Sequence, residues 1–319
     1  MKFHSGPSDF DARLLRRLVG TKVITFCDLN PLQQPSTEFC LPSAIPLSAG
    51  PPRGISPPAA SPTTNSLAPA SLTTASSVTT PTISFSYSLP LRIKRSWNIT
   101  EKLGETALHL SQDEVDMGIG PPQTVGKFLC HLEDDPTQIA LMRIYYQIPI
   151  TGTEDANLDT LAQQIQPNQV CGELEAFRQL MSQGCSSVPR LLGYCKRTQG
   201  EHELVPGGFA KYLVWEKVPG EPLTEESFWS LDTRVREDIR AKFRVAFEEM
   251  LRCGVKPQQP GISKIIYDQP TGNVRISRLR RGWPIREKLE WRDTFYVTYT
   301  LAKRPDERDW RSHPDKWEL

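Results

Sequence analysis

The stretch from residue 255 to residue 284 has a hairpin pattern but very few acidic residues. Ile265, Ile266 and Tyr267 lead into Asp-Gln-Pro-Thr-Gly-Asn, and Val274 and Ile276 then alternate with polar residues. A Pro and a Gly between two β-rich runs predict a strand, a turn and a second strand. No Asp or Glu occurs from 255 to 267 or from 273 to 284. Because Mg²⁺ prefers hard oxygen ligands, usually including a carboxylate, the sequence argues against a magnesium site at this hairpin.

Arginines occupy the second half of the hairpin and the residues after it. Guanidinium groups form charge-assisted hydrogen bonds with anions, so Arg275, Arg278 and Arg280 are candidate ligands for an anion. That anion could be a phosphopeptide, a nucleotide without metal or an acidic partner helix. The alternative is a solvated basic strand without a ligand. Asp268, the one acid nearby, falls in the turn, where Asp is common, and is predicted to be structural.

Composition and charge exclude several classes of function. The 319 residues include 38 Lys and Arg against 37 Asp and Glu, so the formal net charge is +1. This balance predicts neither nucleic acid nor an anionic membrane as the main partner. The chain has no apolar run long enough to span a bilayer, and its first residues do not resemble a secretory signal.

The cysteines and histidines do not form a metal-binding pattern. The 7 cysteines are scattered and never spaced as CxxC, and the 5 histidines form neither an HxxxH motif nor a cluster with cysteine. We therefore expect reduced thiols in an intracellular protein, cytoplasmic or nuclear, and no zinc site.

The chain divides into a long polar region and one domain. Residues 41–90 contain a single charged residue, Arg53, among Pro, Ser, Thr, Ala and Gly. Such a segment cannot bury enough apolar surface to offset its chain entropy, so residues 1–94 are predicted to be mostly disordered. A short amphipathic helix is predicted at 9–19, because four apolar residues fall on one face there: Phe10, Leu14, Leu15 and Leu18. Order is expected to begin near residues 91–97, and residues 95–319 are predicted to form the domain.

Within that domain, the pattern predicts strands before helices. Strands are expected at 125–132, 139–148, 190–195 and 212–215, with a helix at 171–183 that Gly184 ends. A stronger helix is expected at 232–252, with Asp232 as its N-cap and Gly254 after its end. The opening hairpin and a Trp-rich tail complete the chain.

These elements and several blocks carry a resemblance to a known superfamily. The segment YLVWEKVPGEPL, residues 212–223, is similar to the hinge of aminoglycoside phosphotransferase and choline-kinase-type enzymes. The blocks ALMRIYYQIP, ELEAFRQLMSQGCSSVPRLLGY and KIIYDQPTGNVRIS resemble fungal kinase-like proteins whose catalytic residues are often degenerate. The resemblance covers about residues 99–301. It implies an α+β, kinase-like two-lobe fold, with a small β-rich N-lobe at about 95–217 and an abbreviated, mainly helical C-lobe at about 218–319.

The resemblance also implies roles for single residues. Arg143 stands where such proteins carry a lysine that grips nucleotide phosphates, and Glu173 or Glu175 is its implied partner on the helix. The backbone of the hinge at Glu216 and Val218 would meet an adenine edge. Active members carry a catalytic Asp, then an Asn, then a metal-binding Asp. The corresponding residues of this sequence are, in the same order, Gln259, Lys264 and Arg278. A phosphate-covering loop is hinted at by Gly118, Gly120 and Gly126, but two prolines there remove backbone donors, which favours an ordinary loop.

Three interpretations follow from the residues and the resemblance. The first is a catalytically degenerate kinase-like protein that acts as a binding or scaffold module for an unidentified protein partner. It requires no cofactor, although ATP could bind without Mg²⁺. The second is an atypical ATP-dependent phosphotransferase acting on a small molecule or a protein hydroxyl, with an acid such as Asp268 or Glu290 reaching the site. The third is a decayed gene product, which the charge-poor first 90 residues would fit.

Overall fold

The computed structural model describes residues 8–28, 92–167, 171–277, 279–280, 282–285 and 287–319. The fold is mixed α and β, with a β-rich first part. Its strands are β1 (Ser8–Asp9), β2 (Lys22–Asp28), β3 (Arg92–Leu108), β4 (Gln123–Leu132), β5 (Ile139–Gln147), β6 (Leu191–Thr198), β7 (Phe209–Glu216), β8 (Glu221–Pro222), β9 (Val255–Lys256), β10 (Ile265–Asp268), β11 (Asn273–Ile276) and β12 (Trp283–Pro284). Its α-helices are α1 (Gln112–Asp116), α2 (Leu158–Gln163), α3 (Gly172–Ser182), α4 (Glu225–Trp229), α5 (Thr233–Arg252) and α6 (Thr294–Thr298).

The large sheet closes on itself. Its antiparallel strands run in the order β3-β2-β6-β7-β5-β4, and β4 pairs again with β3, while the short β1 adds to β3. The long β3 makes the closure, because residues 92–98 pair with β2 and residues 97–108 pair with β4. Between β2 and β6 the only paired residues are Phe26 and Tyr194. The result is a small barrel, which removes exposed strand edges.

Strand alternation separates the barrel interior from its outer face. On β5 the interior side chains are Ala140, Met142, Ile144 and Tyr146, and on β7 they are Ala210, Tyr212 and Val214. The intervening residues, such as Leu213 and Trp215, belong to a second core that includes α3 and α5. This period of two places alternate residues of one strand in two different environments.

The first described segment differs from the predicted amphipathic helix in a disordered region. Residues 8–28 contain β1, a 3-10 turn at Arg16–Leu18 and β2, which is part of the barrel sheet. Leu15 and Leu18 are buried in the barrel core, and the backbone N–H of Leu15 donates to the buried carboxylate of Glu105 at 3.2 Å. Phe10, expected on the same helix face, is 75% exposed. Tertiary burial of two leucines therefore prevailed over a marginal helix. The other residues of the predicted disordered region, 1–7 and 29–91, lie outside the described residues.

The other predicted elements appear with small shifts at their ends. Asp232 caps α5, since its Oδ1 accepts the N–H of Arg234 at 2.8 Å. Gly184 and Gly254 follow α3 and α5 with positive φ of 68° and 75°. The hairpin pairs Ile265 with Ile276 through Asp268 with Asn273.

The last third of the chain packs on α5. Phe243 and Phe247 of α5 contact Trp291 and Tyr299, with ring centroids 4.9 to 6.0 Å apart. Trp310 and Trp317 form a small separate cluster with Ala302. Over the described residues, none of the helices combines the length and the apolar character needed to cross a membrane.

Candidate ligand-binding cleft

A cleft of about 340 Å³ lies between the barrel and the β10–β11 hairpin. Side chains from β3, β4, β5 and β7 form one side, while the linker after β7 and the hairpin form the other. Its apolar lining consists of Leu103, Leu129, Leu141, Pro189, Trp215, Val218, Pro222 and Ile266. Its charged lining consists of Glu101, Lys127, Arg143, Glu216, Lys217 and Glu221.

Arg143 lines this cleft and forms a buried ion pair with Glu173. Arg143 lies on the outer face of β5, and its Nη1 contacts Oε1 of Glu173 on the first turn of α3. The two side chains are 8% and 1% exposed. Tyr145, two residues along β5, donates its hydroxyl to Oε2 of Glu173 at 2.6 Å. The sequence offered Glu173 or Glu175 as the partner of Arg143, and the structure selects Glu173.

Glu175 is turned elsewhere and contacts Arg178 at 3.5 Å on the same helix. Residues 173 and 175 are separated by about 200° around a helix, so only one of them can face β5. An acid in the first turn of a helix is also favoured by the helix dipole.

Burial and the charge of Glu173 oppose each other in their effect on the pKa of Arg143 and act together on the pKa of Tyr145. Burial by itself lowers the pKa of Arg143, but the adjacent Glu173 carboxylate outweighs it and the pKa is raised. Burial, followed by the Glu173 charge, raises the pKa of Tyr145 well above its ordinary value. Arg143 is therefore a fixed cation, Glu173 is its counter-charge and Tyr145 is a neutral donor.

Trp215 forms the floor beside the ion pair. The Arg143 guanidinium lies 5.0 Å from the centroid of the Trp215 ring, and that ring stacks on Phe177 of α3 at 6.1 Å. Register explains the grouping, because Leu141 pairs with Trp215 and Arg143 with Leu213 across β5 and β7. The large Trp215 ring, 4% exposed, thus limits the depth of the cleft behind Arg143.

The end of β7 and the linker after it bring Glu216 and Val218 to the cleft. The backbone N–H of Glu216 donates to the carbonyl of Arg190 at 2.9 Å, and its carboxylate contacts the Arg190 side chain at 3.4 Å. Gly220 has φ of +92°, and an added Cβ there would meet the backbone of Tyr267 on β10. Glycine at 220 therefore lets the linker turn and pack directly against the hairpin.

The hairpin provides no carboxylate to the cleft. Ile266 and Ser277 are its lining residues, and neither Gln259 nor Lys264 is among the described residues that line the cleft. Arg278 lies outside the described residues. The carbonyl of Lys264 accepts the N–H of Ser277 at 2.7 Å, which ties the hairpin base together.

The two acids considered as substitutes lie elsewhere. Asp268 is a turn residue, as predicted: its side chain accepts from the Thr271 hydroxyl, and its carbonyl accepts the N–H of Gly272 at 2.7 Å. Glu290 is exposed and lines a separate groove beside α5 with Trp291. Neither reaches the cleft.

The described part of the chain groups three potential metal ligands in one place only, at Glu307, Asp309 and His313 in the tail. Glu307 and Asp309 are exposed. Asp309 contacts His313 at 3.0 Å, and Glu307 contacts Lys316 at 2.9 Å. These three residues are not part of the cleft, and their charges are met by neighbours.

Of the candidate anion ligands, the two that the structure describes, Arg275 and Arg280, do not line the cleft. Arg275 is half-buried, and its Nη1 donates to the backbone carbonyl of Ser186 in the loop after α3. Arg280 is exposed. Gly118 and Gly120 have positive φ and lie in the loop after α1, outside the described lining of the cleft, in keeping with an ordinary loop.

Sequence reasoning missed Trp215, Leu141, Leu129 and Lys127 as cleft residues. The signal was available in part, since Leu141 and Arg143 share one face of a strand. The facing residues on β4 depend on the register, which pairs Lys127 with Arg143 and Leu129 with Leu141. Register between strands is set by tertiary packing and could not be read from one strand.

No protein-family model matches the sequence, and no curated protein matches it. Among solved structures, the chain is similar to the Cydia pomonella granulovirus kinase PK-1, at 9% sequence identity. The match covers 67% of this chain and 73% of that one, with a TM-score of 0.39. So distant a similarity does not assign the chain to a family.

Proposed function

We propose that the chain is a kinase-like binding module that holds a ligand in its cleft without a divalent cation and without transferring phosphate. The element order supports the comparison with kinases: barrel strands, a basic residue on β5, a helix with its glutamate partner, two strands, a linker and a long helix. One observation carries the proposal. Arg143, held by the buried Glu173, lines a cleft whose flanking hairpin has no carboxylate from 255 to 267 or from 273 to 284 to hold a metal.

The cleft suits a flat apolar group with negative charge at one end. Leu129 and Leu141 on the barrel side and Ile266 on the hairpin side would enclose a planar ring. Lys127 and Arg143 would attract the charged end. A volume of about 340 Å³ is near the lower end for small-molecule sites, so a nucleoside or a nucleotide is the largest ligand we propose.

The binding test uses the full chain, with thermal unfolding and calorimetric titration. The protein is measured under four conditions: ATP with EDTA, ATP with Mg²⁺, adenosine, and buffer alone. A ligand at 100 times its dissociation constant stabilises a protein by about 2.7 kcal/mol, which a melting curve resolves. We expect ATP with EDTA to raise Tm as much as ATP with Mg²⁺.

Two variants locate the binding. Leu141→Trp fills the cleft and should abolish the shift. The control is Ile139→Trp, because Ile139 is on the same strand, is 47% exposed and is not among the described lining residues. This change should leave the Tm shift unaltered. A shift that requires Mg²⁺ would overturn the metal-free proposal. The absence of any shift would leave a protein-interaction module with no nucleotide.

The phosphotransferase alternative has one observation in its favour. Three glutamates line the cleft from other elements: Glu101, Glu216 and Glu221. If one of them held Mg²⁺, the ATP shift would depend on Mg²⁺ and would be lost in Glu221→Gln or Glu101→Gln. The same preparations would then transfer phosphate from ATP to an added acceptor hydroxyl.

A further inference from the structure

A second group of basic and aromatic side chains lies at the start of α5, away from the cleft. We call it the α5 basic site and define it as Trp229, Arg236 and Arg240. Four of its nitrogen atoms are buried without a hydrogen-bond partner among the described residues: Trp229 Nε1, Arg236 Nε and both Nη atoms of Arg240. All four are donors, so what would satisfy them is an acceptor.

Arg240 is the deepest member. It is 5% exposed, and its Nε donates to the carbonyl of Leu301 at 2.8 Å. Its guanidinium lies 5.6 Å from the centroid of the Phe228 ring. Burial, followed by the nearby charge of Arg236, lowers the pKa of Arg240. A buried guanidinium with two unpaired nitrogens is costly unless an anion compensates it.

Arg236 and Trp229 lie between Arg240 and the surface. Arg236 is one helical turn before Arg240, and its guanidinium lies 4.8 Å from the centroid of the Trp229 ring. Both residues are partly exposed. Lys303 approaches the same ring at 4.1 Å and adds positive charge at the rim.

The acids in this neighbourhood are engaged or turned outward. Asp238 pairs with Lys242 at 2.7 Å, and Glu318 pairs with Lys303 at 3.1 Å. Glu237 is exposed and makes no hydrogen bond with the Nη atoms of Arg240, although its charge partly opposes the lowering of the Arg240 pKa. At the N-terminal end of α5 the capping acid Asp232 is already engaged by the N–H of Arg234 at 2.8 Å, and the first turn that follows has no acid.

The chain segment that faces Arg240 is strained. Thr300 has φ of +55°, the only positive value among the non-glycine residues that the structure describes. A β-branched residue in this region is a true outlier, and such strain concentrates at functional positions. Its neighbour Leu301 supplies the carbonyl that holds Arg240.

We propose that the α5 basic site binds a phosphate group. Two guanidinium groups and an indole N–H offer more donors than a carboxylate can accept, and a phosphate dianion matches both their number and their charge. The phosphate can be a free ion or a phosphomonoester. This inference is independent of the cleft, since none of the three residues lines it.

The test measures unfolding and titration heat of the full chain with inorganic phosphate, O-phosphoserine, acetate or chloride at equal ionic strength. We expect a saturable rise in Tm with inorganic phosphate that acetate and chloride do not reproduce. A response to O-phosphoserine at lower concentration would identify a phosphomonoester as the source. Equal responses would identify the free ion.

Matched variants test the residues. Trp229→Phe keeps the ring but removes the indole donor, and Arg236→Gln removes one guanidinium; each should weaken phosphate binding at least tenfold. Arg244→Gln is the control, because it removes the same charge from the same helix at an arginine already paired with Glu248 at 2.9 Å. It should leave phosphate binding unchanged.

Arg240→Met separates binding from folding. Without phosphate we expect it to melt at or above the wild-type temperature, since an unpaired buried charge is gone, and phosphate should no longer raise its Tm. If phosphate stabilises the wild type no more than chloride does, the proposal fails. It also fails if Trp229→Phe and Arg236→Gln bind phosphate as tightly as Arg244→Gln.

Discussion

At the scale of single residues, the chain combines charge with deep burial. Arg143, Glu173 and Tyr145 form one hydrogen-bonded group between β5 and α3. Removing one partner of a buried pair leaves an uncompensated charge, whereas removing both does not. Because the charges of Arg143 and Glu173 compensate each other, the group acts chiefly as a structural tie between β5 and α3 beside the cleft.

We predict that Glu173→Gln lowers the free energy of unfolding by about 3–5 kcal/mol, because Arg143 remains buried without its counter-charge. The double variant Arg143→Met with Glu173→Gln should recover part of that loss. Urea unfolding measures both. Glu175→Gln, at a partly exposed pair with Arg178, should change the stability by under about 1 kcal/mol. An equal loss at 173 and 175 would contradict the assignment of the pair.

Glu203 should make the stability sensitive to acid. Burial raises its pKa, but hydrogen bonds from Arg197 at 2.6 and 2.7 Å, the backbone N–H of Gly200 at 2.6 Å and the charge of Arg197 together lower the pKa to about 2, from an ordinary value of 4.5. A carboxylate whose folded pKa is depressed contributes stability above its unfolded pKa and loses it as the pH falls toward the folded pKa.

Urea unfolding of wild type and Glu203→Gln across this range tests the effect. The wild type should be the more stable above pH 4.5, and the difference should shrink as the pH falls toward about 2. A difference that stays constant with pH would rule out the charge of Glu203 as its cause.

At the scale of elements, β2 decides whether the sheet is open or closed. Thr25 of β2 faces β6 at Gly193, where an added Cβ would collide with the Thr25 side chain. Thr25 also accepts a hydrogen bond from the buried indole of Trp97 at 3.0 Å. The closure therefore depends on one close contact between two strands.

We predict that Gly193→Ala destabilises the protein by about 1–3 kcal/mol, the usual cost of overpacking. Thr25→Ala with Gly193→Ala should cost less than the two single changes added together, since the collision is relieved. Gly104→Ala is the control, because a Cβ at Gly104 meets nothing within 4 Å. Equal effects at 193 and 104 would show that β2 is not held against β6.

At the scale of the whole molecule, two neighbouring strands of the barrel are separated in sequence by the region from 29 to 91. β2 precedes this region and β3 follows it, and the two strands pair from Lys22 with Asn98 to Asp28 with Arg92. The domain therefore needs residues from both sides of the insertion, and a fragment that starts at 95 lacks the barrel closure.

Cys130 reports on this closure. It is fully buried in the barrel core, and burial raises its thiol pKa to about 12. In the full chain we expect Cys130 to resist alkylation at neutral pH, and in the fragment 95–319 we expect it to react. Mass spectrometry of iodoacetamide-treated protein reads the difference. Protection of Cys130 in the fragment would mean that the barrel core forms without β2.

The sequence indicated much of the local structure. Capping residues and apolar stripes located α3 and α5, because helix periodicity and helix ends are local properties. The hairpin, its structural Asp268 and its missing acids were also readable from the residues alone. The Arg143–Glu173 partnership came from a resemblance that placed a strand beside a helix.

Other features depended on contacts between residues far apart in sequence. The segment around Leu15 is helical in pattern, yet burial in the barrel and a bond to Glu105, 90 residues away, give it a different structure. The lining of the cleft depends on the register of β4, β5 and β7. The α5 basic site depends on the later part of the chain, which returns to contact Arg240 through Leu301. Sequence by itself determined α3, α5 and the hairpin, because helix periodicity, capping and turn residues are properties of neighbouring residues. Tertiary structure decided which charges are paired and which are left without a partner, because burial and pairing follow from distant residues meeting in space.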